Sequence, residues 1–342
     1  MSLEPTAFAS YVSHRLPGAT DVSVTDVERI HGGASRETYR LRLAYEEDGA
    51  RVNRPLILRK DPPASLIETE REAEFAAYAA FYATPVPVPE ALWLESDPKW
   101  VGSPFFVMEE LRGFEAGPQQ ITQPPYAEHA KKLGEQKWTI LGQIAQADPF
   151  ALGLDQALDV VEPAVSWERE LDYWAAKLDR DAGKPQPVMQ AVIRRLRRVP
   201  PAAPERLGVV HGDYRTGNFL YDEEGSIHAI LDWEMAHLGD PLEDLAWSLN
   251  KVFHWARDGR AGGLLQRDEA ITIWERSAGR EADPESLLWW ELFNCVKGQA
   301  IWLAAGKEFM AGNNRDPVLA MPGLIMANSQ DRAALDLMGR LE

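Results

Sequence analysis

Apolar and polar positions alternate in short runs over the first hundred or so residues. Segments 22–30, 38–45 and 55–60 are rich in β-branched or aromatic residues and are separated by Gly, Asp and Asn. This is the period of two expected of half-buried strands, and it predicts an antiparallel meander. A helix is predicted to interrupt it over 65–82, where Ala and Glu dominate, Ile67, Phe75 and Phe81 are the apolar positions, and Thr84-Pro85 ends the run. Strands resume over 91–95 and 104–109. After Leu111-Arg112-Gly113 the pattern changes to long helical periodicity over 126–147, 166–181, 188–199, 284–306 and 317–340. The change places a lobe boundary near Gly113, with residues 1–112 before it and 113–342 after it.

A second patch of strand lies inside the helical half. Segments 207–210, 219–221 and 227–231 read as strands, the last two joined by the turn Asp222-Glu223-Glu224-Gly225. A small hairpin among helices is an exception to the pattern, and such exceptions often present functional loops from a rigid base.

Polar residues bracket this hairpin: His211-Gly212-Asp213-Tyr214-Arg215-Thr216-Gly217-Asn218 before it and Asp232-Trp233-Glu234 after it. Phosphoryl transfer needs a carboxylate to orient the attacking hydroxyl and oxygen ligands for the magnesium that bridges the nucleotide phosphates. Asp213, Asn218 and Asp232 supply that set. The Asp-x4-Asn spacing lets one loop present the base and return an amide oxygen to the metal, and the hairpin brings the second carboxylate back alongside. Each residue also has a local structural use, in a turn, a left-handed position or a helix cap. Their coincidence in this order between two strands favours the catalytic reading.

Composition narrows the classes. The 342 residues are 45% hydrophobic, enough for one large core or two modest ones, and the formal charge of −17 argues against a nucleic-acid backbone as partner. The basic run Arg194, Arg195, Arg197 and Arg198 reads as the solvated face and last turn of a helix. The single cysteine, Cys295, excludes an internal disulfide framework and a cysteine zinc cluster, and its apolar neighbours predict an inert buried thiol. Without a basic start followed by an apolar run, or an uncharged apolar stretch of roughly 18 residues, the expected location is the cytoplasm, with no membrane partner. Oligomeric state has no signature in the sequence.

The stretch HGDYRTGNFLYDEEGSIHAILDWEMAHLGDPLEDLAW resembles the signature of the aminoglycoside phosphotransferase-like, or phosphotransferase enzyme, family. The resemblance covers roughly residues 29–250. It implies an α+β, protein-kinase-like fold of two lobes: an antiparallel sheet plus helix binding the nucleotide, then a mainly helical lobe carrying the catalytic hairpin and the acceptor. By position, Asp213 resembles the catalytic base, Asn218 and Asp232 the magnesium ligands, and His211 the histidine that braces the loop; the cofactors implied are ATP and Mg2+. In Gly239-Asp240-Pro241-Leu242-Glu243-Asp244, which also matches, Asp240 reads as a helix cap, and Asp240 and Asp244 as structural residues.

The N-terminal half supplies the expected phosphate grip. Gly32 and Gly33 would let backbone amides approach phosphate, with Ser35 adding a hydroxyl, although paired glycines also make ordinary hairpins. Arg59 resembles the phosphate-binding cation of the third strand, with Lys60 on the other strand face as the alternative. Glu72 resembles the helix glutamate that pairs with it, while Glu68, Glu70 and Glu74 stand close by. Met108, Glu109 and Leu111 would line the adenine slot. The expected partner is a small-molecule hydroxyl acceptor, with Trp167, Tyr173, Trp174, Trp289, Trp290 and Trp302 as wall candidates that could equally be core. The run Leu58-Arg59-Lys60-Asp61-Pro62-Pro63, with Arg71-Glu72 and Asp232-Trp233-Glu234, resembles the kinase-like domains fused to acyl-CoA dehydrogenases, which implies a hydroxyacyl-type acceptor. The alternatives are an aminoglycoside or choline-like cationic acceptor, or a non-catalytic nucleotide-binding regulatory module.

Overall fold

Five N-terminal strands, β1 (Thr20–Ile30), β2 (Glu37–Glu47), β3 (Ala50–Lys60), β4 (Ala91–Glu95) and β5 (Phe105–Glu109), form one antiparallel sheet in the order β1-β2-β3-β5-β4. The structure is a computed structural model and describes residues 3–30, 36–61, 71–254, 256, 258–312, 323 and 326–340. A simple meander holds for β1 to β3 only. The next two strands exchange places: β5, four of whose five residues are buried, takes the interior slot and leaves the half-buried β4 at the edge. Between β2 and β3, Asp48 and Gly49 both have positive φ, 51° and 77°, the requirement of a two-residue type I′ turn that pins the register at Glu47 opposite Ala50.

Alternation sends the strands' side chains to two different cores. Leu41, Leu43, Leu56, Leu58, Phe105 and Val107 meet Phe8, Tyr11 and Val12 of α1 (Pro5–Arg15), a helix the strand pattern does not announce. Ile57, Phe106 and Met108 point the other way, towards Ala73, Ala77, Tyr78 and Phe81 of α2 (Arg71–Phe81) and the main core. Residues 65–70, where this helix is expected to begin, lie outside the described residues.

The helical half contains α3 (Ala130–Gln146), α4 (Ser166–Asp181), α5 (Pro187–Arg198), β6 (Gly208–Val210), β7 (Phe219–Tyr221), β8 (Ile227–Ile230), β9 (His237–Gly239) and α6 (Leu242–Ser248). It continues with α7 (Arg267–Ala278), α8 (Pro284–Ala311) and α9 (Ala327–Met338). The expected helices at 126–147, 166–181, 188–199 and 284–306 correspond to α3, α4, α5 and α8. The last expected helix is described only over α9, and α7 is additional. β7 and β8 form the expected hairpin, while β6 pairs with β9, a strand too short to show a period. α8 has no separate polar face in its middle and is buried there without a break from Leu292 to Ala300. It starts at Asp283, whose carboxylate accepts the Ser286 amide at 2.8 Å, and stops at Gly312 with φ 75°.

The lobes are stitched together beside the hairpin. Ile230 N–H donates to the Pro87 carbonyl at 2.8 Å, and Asp232 N–H donates to the Tyr78 hydroxyl at 2.8 Å. The Trp233 ring stacks on Phe81 at 4.7 Å. Among the described residues no helix is long and apolar enough to cross a membrane.

Because Phe8 is the fully buried centre of the α1–sheet contact, Phe8→Ala should destabilise the protein by about 3–5 kcal/mol in urea unfolding, from lost burial plus the cavity left behind.

Candidate active site

β6 delivers the chain to His211 at the base of a loop that ends at Asn218, and β7 and β8 return it to Asp232. His211 is fully buried, and burial pushes its imidazole down to about 4, so it is neutral near pH 7. Asp213 N–H donates to its Nδ1 at 3.2 Å, which leaves the ring proton on Nε2 to be donated to the Leu231 carbonyl at 2.9 Å. His211 thus joins the two halves of the polar constellation.

Asp213 projects from this loop with its carboxylate held from several sides. Trp247 Nε1–H donates to Oδ1 at 2.7 Å, Asn218 Nδ2 donates to Oδ2 at 2.7 Å, and Arg215 Nε lies 3.1 Å from both oxygens. The Asn218 amide nitrogen also reaches the Asp213 carbonyl at 2.9 Å, so its Oδ1 is the atom left to accept or ligate. Leu231 N–H donates to the Asn218 carbonyl at 2.8 Å, which brings Asp232 next to Asn218. Asp232 itself has φ 69°, a left-handed position unusual for a residue with a side chain. The three residues of the predicted constellation are brought together.

Above them lies Arg59. Strand alternation puts it on the Ile57 face, towards α2 and the second lobe, while Lys60 falls on the opposite face and pairs with Glu37 at 3.0 Å. Arg59 donates to Glu74 Oε1 at 2.5 Å, to Asp232 Oδ1 at 3.0 Å and to Glu234 Oε2 at 3.3 Å. Burial works against its charge, but these carboxylates more than compensate and keep the guanidinium charged. Burial likewise pushes Asp232 up, yet Arg59 prevails and holds it below the usual carboxylate range.

One expectation is corrected here. The helix carboxylate that meets Arg59 is Glu74, not Glu72. Glu74 is completely buried on the helix stripe shared with Ala77, Tyr78 and Phe81, and it also accepts from Arg36 Nε at 2.8 Å. Glu72 lies off that stripe, half-exposed, and bonds to Arg71 and to Ser96. Arg36 and Arg71 both pair with Asp61, extending the charged layer across the lobe.

At the interlobe strand, Met108 is buried in the main core, and Glu109 and Glu110 donate their amides to the carbonyls of Glu90 and Pro55. The Leu111 amide has no such acceptor among the described residues. Gly32, Gly33 and Ser35 lie outside the described residues.

The loop rests on residues outside 211–218, among them Asp244 of the matching Gly239–Asp244 stretch and Lys297 beyond it. The Asp244 carboxylate accepts the amides of His211 at 2.6 Å and Gly212 at 2.9 Å. Burial and neighbouring Glu243 push it up to about 6. Lys297 on α8 donates to the Gly212 carbonyl at 2.6 Å and to Glu243 at 2.8 Å. Gly212 has φ 86°, and a Cβ there would stand 2.4 Å from the Met235 carbonyl oxygen, so glycine is required. Asp240, expected as the cap of α6, lies one residue before it: the N-cap is Pro241, and the Asp240 carboxylate accepts the Leu242 amide at 3.1 Å and Trp290 Nε1–H at 3.1 Å. Glu170, His237 and Glu243 place ligand atoms within 4.8 Å of one another. Lys297 and a His237 raised to about 9 by Glu170 and Glu243, against the effect of burial, balance the two carboxylates. This is an internal ion network. Cys295 is buried and its thiol is pushed up to about 12, an inert residue.

A cavity of about 600 Å³ opens beside Glu234 and Lys297, walled by Leu158, Tyr173, Trp174 and Met235. Of the other aromatic candidates, Trp289 and Trp290 are core, Trp302 is buried, and Trp167 packs on Trp289.

Glu74→Gln should cost about 3–5 kcal/mol of stability by leaving Arg59 and Arg36 short of a buried counter-charge, whereas Glu72→Gln should stay within about 0.5 kcal/mol; urea unfolding of the pair measures both. His211 gives a pH signature. Its folded-state value lies below that of an exposed imidazole, so as the pH falls the unfolded chain takes up the proton first. The stability advantage of the wild type over His211→Asn should therefore be complete above pH 6.5 and shrink as pH falls towards about 4.

Acyl-CoA dehydrogenase family member 11 of Rattus norvegicus is 26% identical over 320 residues, covering 89% of this chain and 39% of that protein, so the chain spans about two fifths of this relative's length. The crystal structure of a candidate aminoglycoside phosphotransferase from Ralstonia eutropha superposes with a TM-score of 0.75 at 20% identity, covering 99% of each chain. The GDP complex of aminoglycoside 2'-phosphotransferase-IIIa superposes with a TM-score of 0.60 at 13% identity, covering 96% of this chain and 99% of the other. These likenesses show the two-lobed kinase-like fold. The model of the phosphotransferase enzyme family matches residues 26–282, well over half of the sequence, and the chain belongs to that family.

Proposed function

We propose that the protein transfers the γ-phosphoryl group of ATP to a hydroxyl of a small molecule, and that the acceptor is of the hydroxyacyl type. The observation that supports transfer most directly is the Asp213 carboxylate, held by Trp247, Asn218 and Arg215 beside the oxygens of Asn218 and Asp232 and beneath Arg59. Hard oxygen donors of this kind suit magnesium. Asn218 Oδ1 and the Asp232 carboxylate would hold the ion, and when bound it would neutralise charge on the nucleotide phosphates.

In the proposed reaction the acceptor oxygen forms a bond to the γ-phosphorus, the bond from that phosphorus to the bridging oxygen breaks, and ADP leaves. Asp213 orients the hydroxyl and takes its proton. Little basicity is needed where the transition state is loose, so positioning is the main contribution of the carboxylate. Arg59 would exchange part of its hold on Asp232 and Glu234 for phosphate oxygens, and Arg215 would swing from Asp213 to the transferred group. Met108, Glu109 and Leu111 would form the adenine edge, with the Leu111 amide as donor. Gly32, Gly33 and Ser35 are proposed to cover the phosphates.

The cavity beside Glu234 fits an acyl chain better than a polycation. Of its charged residues, Arg169, Glu170, Glu234, His237 and Lys297 are engaged in ion pairs within the protein and Asp159 adds a carboxylate at the rim, while the remaining wall is largely aromatic and aliphatic. Val160, next to the lining residues Leu158 and Asp159, is 51% exposed, and the lining Tyr173 is 37% exposed, which extends the apolar surface outward. Similarity to part of an acyl-CoA dehydrogenase family member supports the same class.

Purified protein with Mg-ATP should release ADP in the presence of hydroxyacyl-coenzyme A and not with amino sugars, aminoglycosides or choline. Asp213→Ala should lower this turnover by roughly 10³-fold, while calorimetry finds its Mg-ATP affinity within about threefold of wild type. Turnover that survives in Asp213→Ala, or that requires a cationic acceptor, would remove the corresponding half of the reading.

A further inference from the structure

Lys297 is a charge without exposed surface, placed in the middle of the most apolar of the described helices. An ion pair buried this deeply is seldom more stable than apolar residues of the same volume, so stability alone does not account for it. Its contacts are specific. Besides Glu243, the ammonium donates to the Gly212 carbonyl at 2.6 Å and stands over the rings of Trp247, at 5.1 Å, and Trp174, at 5.6 Å.

The Gly212 carbonyl and the Asp213 amide belong to one peptide plane. Lys297 holds the oxygen of that plane, and His211 Nδ1 accepts its N–H at 3.2 Å. A plane gripped at both ends fixes the bond axis from which Asp213 projects. A cation on the carbonyl also polarises the peptide and strengthens the N–H as a donor to His211. On its other side Lys297 seats the Trp247 ring, whose Nε1–H reaches the Asp213 carboxylate at 2.7 Å. The same side chain lines the cavity together with Trp174.

We propose that Lys297 is a positioning residue that couples the acceptor cavity to Asp213, by fixing the Gly212–Asp213 peptide and by seating Trp247. The coupling rests on the reading of Asp213 as the base and of the cavity as the acceptor site. The hold on the loop stands on geometry alone.

The test compares wild type, Lys297→Arg, Lys297→Met and the double variant E243Q/K297M, which leaves no carboxylate stranded at position 243. Hydrogen exchange is read at the amides of residues 211–213 and along α8, and steady-state rates are measured with Mg-ATP and hydroxyacyl-coenzyme A. In both Met variants, exchange at 211–213 should rise by about tenfold or more while α8 keeps its protection. Their kcat should fall by roughly a hundredfold, the penalty of a misplaced reacting group, with KM for ATP nearly constant. Lys297→Arg should recover part of both. Unchanged protection at 211–213 would overturn the proposal, and so would a rise in acceptor KM with kcat preserved, which would make Lys297 only part of the cavity wall. If wild type itself turns over no acceptor, the functional reading fails and with it the coupling, while the exchange data still decide whether Lys297 holds the loop.

Discussion

A guanidinium buried between two lobes must be matched by carboxylates, and those around Arg59 come from both sides: Glu74 from the first lobe, Asp232 and Glu234 from the second. Isolated, a buried charge is expensive, and each partner left alone would be no better off. The pairing therefore constrains everything near it. α2 has to present Glu74 inward, β3 has to point Arg59 down, and the chain after β8 has to bend through a left-handed Asp232 to meet them. The result is a set of charges at the junction of the lobes, assembled from protein groups alone.

Beneath that layer the loop from His211 to Asn218 is held by bonds to its backbone as well as by bonds among its side chains. Asp244 takes the amides of His211 and Gly212, Lys297 takes the Gly212 carbonyl, and a neutral His211 spans from Asp213 to Leu231. Backbone supports from two helices, α6 and α8, leave the Asp213 carboxylate little freedom except the direction in which Trp247 and Asn218 already point it. Pre-set geometry is what the proposed phosphoryl transfer would draw on, since that reaction asks for little covalent chemistry from the protein.

How much of this is readable in the sequence depends on whether the residues involved are local. The loop from His211 to Asn218 and the hairpin to Asp232 are contiguous, so spacing alone presents them. Arg59 follows from strand alternation once the register is known, and the structure resolves it from Lys60. The glutamate partner is less legible because Glu72 and Glu74 differ only in helix phase; the signal that separates them is that Glu74 falls in step with Ala77, Tyr78 and Phe81. Lys297 and Glu243 are distant in sequence, and a lysine in the apolar middle of a helix shows that something is paired without showing with what. The order of β4 and β5, and the pairing of β6 with β9, depend on long-range burial that no local pattern encodes.

The most direct test of phosphoryl transfer is 31P NMR of the protein mixed with Mg-ATP and a hydroxyacyl-coenzyme A. The account predicts a new phosphate monoester resonance growing in step with ADP, at the expense of the ATP γ-signal. Growth of inorganic phosphate alone, with no monoester formed, would contradict transfer to a hydroxyl acceptor of this class.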